Sequence, residues 1–228
     1  SVRYRFDRLT GREPRVGSVA VTAGIRGTEL TVYAGSDGST LFLVESGLVQ
    51  VTSAGESVEL REAQAVEVAV SRPPGEIFEW KGRELDFAGW DQGRLDDFLQ
   101  EPATGVELLQ ARLKDLAAGY EEYRELADEL QLQIDALREE FSEASSEAEE
   151  DRIRGELRPT QDRGRSAVLN YRYYSLSALS MRRYVLGNLY MRMKTRFILD
   201  GDNPRFRRFL EAYESFLAEF DKRIIPGL

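Results

Sequence analysis

Residues 106–141 read VELLQARLKDLAAGYEEYRELADELQLQIDALREEF, and the spacing of the large apolar side chains in that run decides the fold. Val106, Leu109, Leu113, Leu116, Tyr120, Tyr123, Ala127, Leu130, Ile134, Leu137 and Phe141 follow one another at intervals that alternate strictly between three and four. That is a heptad register, and it predicts one continuous helix with a coiled-coil seam. At about 1.5 Å of rise per residue such a rod is roughly 55 Å long, well beyond an ordinary globular helix. A seam of that length has to be covered by something.

The cover is expected from the residues that follow. With the long helix assigned to 105–145, the bend back falls where Ser145, Ser146, a run of glutamates and Gly155 weaken the pattern. A return helix over 162–199 carries Leu169, Tyr173, Leu176, Leu179, Leu186, Leu189, Met193 and Phe197 as its apolar face, and Asp200-Gly201-Asp202 stops it. A last helix over 204–222 begins with Asn203 as N-cap and Pro204 in its first turn. It turns Phe206, Phe209, Leu210, Tyr213, Phe216, Leu217 and Phe220 inward. Charge suggests how the arms pair. Residues 91–157 hold 20 acidic and 7 basic side chains, net -13, whereas 158–208 hold 12 basic and 3 acidic, net +9. An antiparallel hairpin would therefore set Arg172, Arg182, Arg183, Arg192, Lys194 and Arg196 beside the acidic arm, fixing register more than stability.

Toward the N-terminus the period changes from 3.5 to 2. Val19 and Val21, Leu30 and Val32, Leu41 and Leu43, Val49 and Val51, Val58 and Leu60, then Val66, Val68 and Val70 alternate as half-buried strands do. Turn residues separate them at Gly35-Ser36-Asp37-Gly38, Ser46-Gly47, Ala54-Gly55-Glu56 and Pro73-Pro74-Gly75. Short strands joined this way predict an antiparallel β-sandwich or roll. The expected fold class is thus α+β with the two kinds of structure segregated: a β-domain over 1–90 and a helical domain over 91–228 that opens with a short helix at 91–99. Trp80, Phe87 and Trp90 stand at the junction, where large aromatics would cement the two parts.

Composition narrows the chemistry. A 42% hydrophobic chain of 228 residues can bury a real core, and a net charge of -9 disfavours general attraction to nucleic acid or to an anionic membrane. There is no cysteine and no histidine, which removes thiolate and imidazole metal ligands, cysteine nucleophiles and the commonest general base. No run of about 18 apolar residues spans a bilayer and no signal-like segment follows Ser1, so a targeting or anchoring segment is not expected within this chain. Glu121-Glu122, Glu139-Glu140 and Glu149-Glu150 lie along a regular helix, not across a cleft as glycosidase acids must. Asp200, Asp202 and Asn203 read as a helix stop and cap in preference to a cation loop. The tyrosine- and arginine-rich run around Tyr171-Arg172-Tyr173-Tyr174 reads as a pairing arm in preference to a nucleic-acid surface. No catalytic residue, metal ligand or cofactor is assigned, and the expectation is a non-enzymatic protein.

One string is more specific. Gly24-Ile25-Arg26-Gly27-Thr28-Glu29-Leu30, then Asp37-Gly38-Ser39-Thr40, then Leu43-Val44-Glu45-Ser46-Gly47-Leu48-Val49-Gln50-Val51 resembles the FecR domain of bacterial periplasmic sensor proteins. The resemblance covers about residues 16–70 and departs at Ala63-Gln64, where the family places Gly-Gln. It implies a periplasmic location, a role in mediating contacts across the envelope and no catalysis. The membrane helix that carries the signal in family members is not in this chain, and the long helices are not part of the family pattern. Within the motif, Arg26, Gly27, Thr28 and Glu29 are expected to act mainly structurally, with Gly27 marking a bulge or a close backbone approach.

The function expected from all this is protein–protein binding or scaffolding in the periplasm, in envelope signalling, with an envelope protein as partner and no nucleic acid. Two rivals stand beside it. A polysaccharide- or cell-wall-binding module would expose Tyr33, Phe42, Phe78 and Trp80 as a row on one sheet face. A homodimeric spacer would pair its seam between two chains.

Overall fold

The computed structural model describes residues 2–5, 15–17, 22–81 and 85–227, with side chains described for 29–81 and 85–226. Seven strands come first: β1 (Val2–Arg5), β2 (Arg15–Gly17), β3 (Thr22–Ala34), β4 (Thr40–Ser53), β5 (Glu56–Arg61), β6 (Gln64–Val68) and β7 (Phe78–Glu79). They form one antiparallel sheet around the long pair β3 and β4. The second half of β3 pairs with β1 and its first half with β2, while the first half of β4 pairs with β6 and its second half with β5.

The two halves meet at a break in register. Arg26 faces Leu48 and Glu29 faces Ser46, so β3 holds one extra residue there; Leu30 then faces Val44, so β4 takes up the difference. Gly47 sits at φ 89°, a conformation that glycine adopts at little cost. Ser46-Gly47, read above as a reversal of the chain, is therefore an irregularity inside β4, because a positive φ within a strand produces a bulge as readily as a turn. The backbone of the Arg26-Gly27-Thr28-Glu29 motif lies at this break, but the side chains of Arg26 and Thr28 lie outside the described residues.

Both faces of the sheet around β4 are buried. Val32, Phe42, Val44, Val66 and Val68 lie on one side and are at most 8% exposed. Leu41, Leu43 and Ala65 lie on the other, packed by Tyr33, Phe78, Trp80, Leu85, Phe87 and Trp90. That second layer is carried partly by α1 (Phe87–Gln100). The helix starts four residues before the expected Asp91 because Asp86 caps it, accepting the Gly89 N–H at 2.8 Å. Asp91 is engaged elsewhere. Its carboxylate accepts both the backbone N–H and the hydroxyl of Ser36, at 2.6 and 2.8 Å.

Four further helices follow. α2 (Pro102–Glu143) is continuous, and of the eleven seam residues Val106, Leu109, Leu113, Leu116, Tyr120, Ala127, Leu130 and Ile134 are buried while Tyr123, Leu137 and Phe141 are half-buried. α3 (Glu147–Ser180) starts at Glu147, well ahead of the expected residue 162. Its first turn holds Glu147, Glu149 and Glu150 at the positive end of the helix dipole, and the Ser146 hydroxyl accepts the Glu149 N–H. Pro159 lies within α3, where it cannot donate to the carbonyl four residues back; that carbonyl belongs to Gly155, which has nothing within 4 Å of where a Cβ would stand. A turn of π-helix (Met181–Leu186), with Gly187 N–H bonded to Arg182 O, leads into α4 (Gly187–Arg196). α5 (Pro204–Arg223) buries Phe209, Phe216 and Phe220.

Contacts divide the chain into two compact units that do not follow the strand-to-helix change near Trp90. One comprises Ser1–Leu113 with Ser177–Lys222; the other comprises Lys114–Leu176 with Arg223–Leu228. In the first, the sheet, α1, α4 and α5 share a unit, and Ser71 donates its hydroxyl to the Leu108 carbonyl at 2.9 Å. In the second, Tyr120 meets Tyr171, Tyr123 stacks on Tyr174 and Ile134 meets Gly164.

The charge pairing differs from expectation. Among the described residues Arg172, Arg182, Arg183, Arg192, Lys194 and Arg196 have no carboxylate partner; Arg182 and Arg183 instead lie over the Phe220 and Tyr184 rings. Most ion pairs on α2 and α3 are within one helix, three or four residues apart, such as Arg154 with Glu150 and Arg138 with Asp135. Arg152 with Glu140 joins the two helices near the bend. Exposed pairs of this kind contribute little, so burial and not charge decides which faces meet.

Candidate functional site

The faces that meet in the second unit mix small residues with leucine and tyrosine side chains. Ala127 and Leu130 of α2 pack on Ala167 of α3, with Tyr123, Leu126, Val168 and Tyr171 around them. Gly164 lets the Ile134 side chain pack directly on α3, since a Cβ there would stand 3.2 Å from Ile134 Cδ1. Small residues thus hold part of the interface, and two of the leucines assigned to it from sequence, Leu169 and Leu176, are 67% and 60% exposed. Large apolar side chains mark a helix face only when the partner stands far enough away to need them; here it does not.

Beside that close contact lies an open cavity of about 480 Å³. Ala127, Ile134, Gly164 and Val168 form its apolar floor, and Gln131, Arg138, Gln161 and Arg165 rim it. Both arginines are weakly committed, Arg138 to Asp135 at 3.3 Å and Arg165 to Asp162 at 3.5 Å, all four side chains more than half exposed. They can turn toward an incoming carboxylate at small cost. A second cavity of about 490 Å³ lies along the α3 irregularity, lined by Gly155, Pro159, Leu137 and Arg163 among others.

Titration is displaced in salt-bridged pairs. Hydrogen bonds from Arg223 lower the Glu121 carboxyl below its ordinary range, those from Lys81 lower Glu62, and Glu140 raises the Arg152 guanidinium further. These are surface pairs, not an acid and base facing a cleft. Among the described residues no three metal-ligating side chains converge, and no helix is long and apolar enough to cross a membrane.

The residues singled out from sequence fall as follows. Phe42 is fully buried, so it takes no part in an exposed aromatic row; its neighbours Leu41 and Leu43 point to the opposite face, and strand alternation separates it from Tyr33 and Phe78. Tyr33 stacks on Phe87 with centroids 3.5 Å apart, and Trp80 donates its indole N–H to the Val44 carbonyl at 3.2 Å. Tyr33, Phe78, Trp80, Phe87 and Trp90 are brought together against Leu41, Leu43 and Ala65, so rings expected as a binding surface and rings expected as a junction form one cluster. Trp90 is held by Glu67, which accepts its indole N–H at 2.9 Å and pairs with Arg94 at 3.0 Å. Glu29 donates its backbone N–H to the Ser46 hydroxyl at 3.3 Å. Of the groove lining, Ala127, Ile134 and Leu169 were named from sequence as apolar-face residues, whereas Gly164, Val168 and the two arginines were not; the signal that could have found the glycine is the spacing of Gly164 and Ala167 ahead of Tyr171 and Tyr174.

Comparison with known proteins gave no match to any protein-family model, curated protein or solved structure.

Proposed function

We propose that this chain is a non-enzymatic binding protein that mediates protein–protein contacts in the periplasm, and that the groove between α2 and α3 is where it recognises its partner. The observation that carries the reading is the groove itself: an apolar floor of Ala127, Ile134, Gly164 and Val168, with Arg138 and Arg165 beside it. Its occupant is a helical segment of an envelope protein that places an apolar side chain on the floor and carboxylates against the arginines. The periplasmic placement and the signalling role rest on the resemblance of Gly24–Leu30 and the following strands to the FecR domain. In this reading the sheet folds as a sandwich or roll and α2 with α3 forms an antiparallel hairpin, in keeping with contacts in which partners on α2 fall as those on α3 rise.

The rivals are less well supported. Burial of Phe42 removes the middle of the aromatic row on which polysaccharide binding depended. Cover for eight of the eleven seam residues within one chain leaves a dimeric spacer without a seam to share.

The test is a photo-crosslinking amino acid at Val168, compared with one at Glu129, an exposed residue outside the groove lining. Crosslinks from 168 to one envelope protein, lost when Gly164→Leu fills the groove, support the reading. Equal capture from both positions, or capture unaffected by Gly164→Leu, sinks it.

A further inference from the structure

The corner between α4 and α5 presents its apolar side chains outward. Ile198 is 74% exposed and Leu199 97%, although the turn that carries them is tightly bonded. Asp200 N–H reaches the Phe197 carbonyl, Asn203 N–H reaches the Asp200 carbonyl, and the Asn203 side chain caps α5 by accepting the Arg205 N–H at 3.0 Å. Beneath them Phe197 stacks on Phe206 with centroids 5.6 Å apart. The aromatic rings thus take the interior of the corner, and the two aliphatic side chains are held out from it. Tyr184 in the π turn and Met191 in α4, on the segment that leads to it, are exposed as well.

Cations surround this corner. Residues 191–208 hold six basic and two acidic side chains, net +4, in a chain whose total is -9. Asp202 is taken up by Arg207, and Asp200 accepts from Asn203. Arg192, Lys194, Arg196, Arg205 and Arg208 are exposed and have no carboxylate partner among the described residues. All lie within nine residues of Leu199 along the chain.

We propose that this corner docks the protein on an anionic lipid surface, with Ile198 and Leu199 entering the acyl boundary and the five unpaired cations meeting lipid phosphates. A protein partner would have to supply a concave pocket for such a protruding pair; a bilayer interface accepts it without one, and its negative charge complements the patch. The site belongs to the unit that holds the sheet, and it stands or falls independently of the groove between α2 and α3.

The test uses the full chain with vesicles of phosphatidylcholine alone and of phosphatidylcholine mixed with phosphatidylglycerol. Co-sedimentation is expected with the mixed vesicles only. Each cation near such a surface is worth about fivefold in partitioning, so Arg205→Gln with Arg208→Gln should weaken it by roughly 25-fold, and Ile198→Ser with Leu199→Ser by at least about tenfold. Because the chain has no cysteine, Leu199→Cys accepts an environment-sensitive dye at one place, whose emission should shift to the blue on mixed vesicles while the same dye at Leu132→Cys stays put. Equal sedimentation with both vesicle types, undiminished binding by either double variant, or an unmoved dye at 199 overturns the proposal.

Discussion

The ring of Tyr174 occupies the space that a side chain on Gly119 would need: a Cβ built on Gly119 would come within 2.6 Å of the ring atoms Cε1 and Cζ. The ring cannot simply swing away, because it stacks on Tyr123 at 5.8 Å and meets the edge of Tyr173 at 5.3 Å. Gly119→Ala gains about 1 kcal/mol of helix propensity but forces overpacking that costs roughly 1–3 kcal/mol, so a net loss of stability is expected. Gly93→Ala in α1 meets nothing within 4 Å and should gain most of the propensity term. Urea unfolding of the two variants should move in opposite directions; a more stable Gly119→Ala protein would mean that the close approach of α2 and α3 is not real.

Two alanines hold conformations that suit other residues. Ala54 has φ 49° and Gly55 φ 80° between paired Ser53 and Glu56, the geometry of a primed two-residue hairpin turn. Ala63, at φ 68°, stands in the turn between β5 and β6. Left-handed alanine costs about 1–2 kcal/mol, so Ala54→Asn and Ala63→Gly should each raise stability by roughly 0.5–1 kcal/mol. Thermal melts of the two variants check this, and a lowered midpoint in either would show that the alanine there is not strained.

The long helix was legible from residues because its seam is made of large side chains at regular spacing, and Val106, Leu113 and Leu116 are buried as that spacing demands. The strands were legible for a similar reason: Val66 and Val68 alternate with more polar neighbours. What the pattern could not show is distance between partners. Leu169 and Leu176 have the same period as a buried face, yet α3 turns Gly164, Ala167, Ser175 and Ala178 inward, because small residues allow an approach that leucines would block. A reading that follows large side chains passes over Gly164. Phe42 failed for a different reason. With the sheet covered on both faces, alternation says which side a ring is on but not whether that side meets water.

Acid should loosen the C-terminal attachment in the second unit. Arg223 grips Glu121 with two hydrogen bonds, at 2.9 and 2.7 Å, and these hold the carboxyl below its ordinary range. A lowered folded-state value means stabilisation that is complete above the ordinary carboxylate range of about 4 and disappears as pH falls through the lowered value. With Glu121 nearly half exposed, the effect is small after screening. Glu121→Gln should flatten the pH dependence of the amide protection factors around Arg223 between neutral pH and pH about 3; protection factors in the parent chain that do not change across that range would contradict the linkage.

The tie between Ser36 and Asp91 makes the sharpest case of shared energy. One carboxylate accepts from both the backbone and the hydroxyl of Ser36, holding the β3–β4 turn against the first turns of α1, where Trp90 lies so near Gly35 that a Cβ there would stand 3.2 Å from its ring. Ser36→Ala removes one bond and should cost about 0.5–1.5 kcal/mol, whereas Asp91→Ala also strands the Ser36 N–H and should cost about 1–3 kcal/mol. Once Asp91 is gone the hydroxyl has lost its acceptor, so the double variant should be hardly less stable than Asp91→Ala alone, a clear departure from additivity. Chemical denaturation of the three proteins completes the cycle. Additive losses would place the two residues in separate interactions, and the docking of α1 on the sheet would then rest on the aromatic cluster of Tyr33, Phe87 and Trp90 without this hydrogen-bonded clasp.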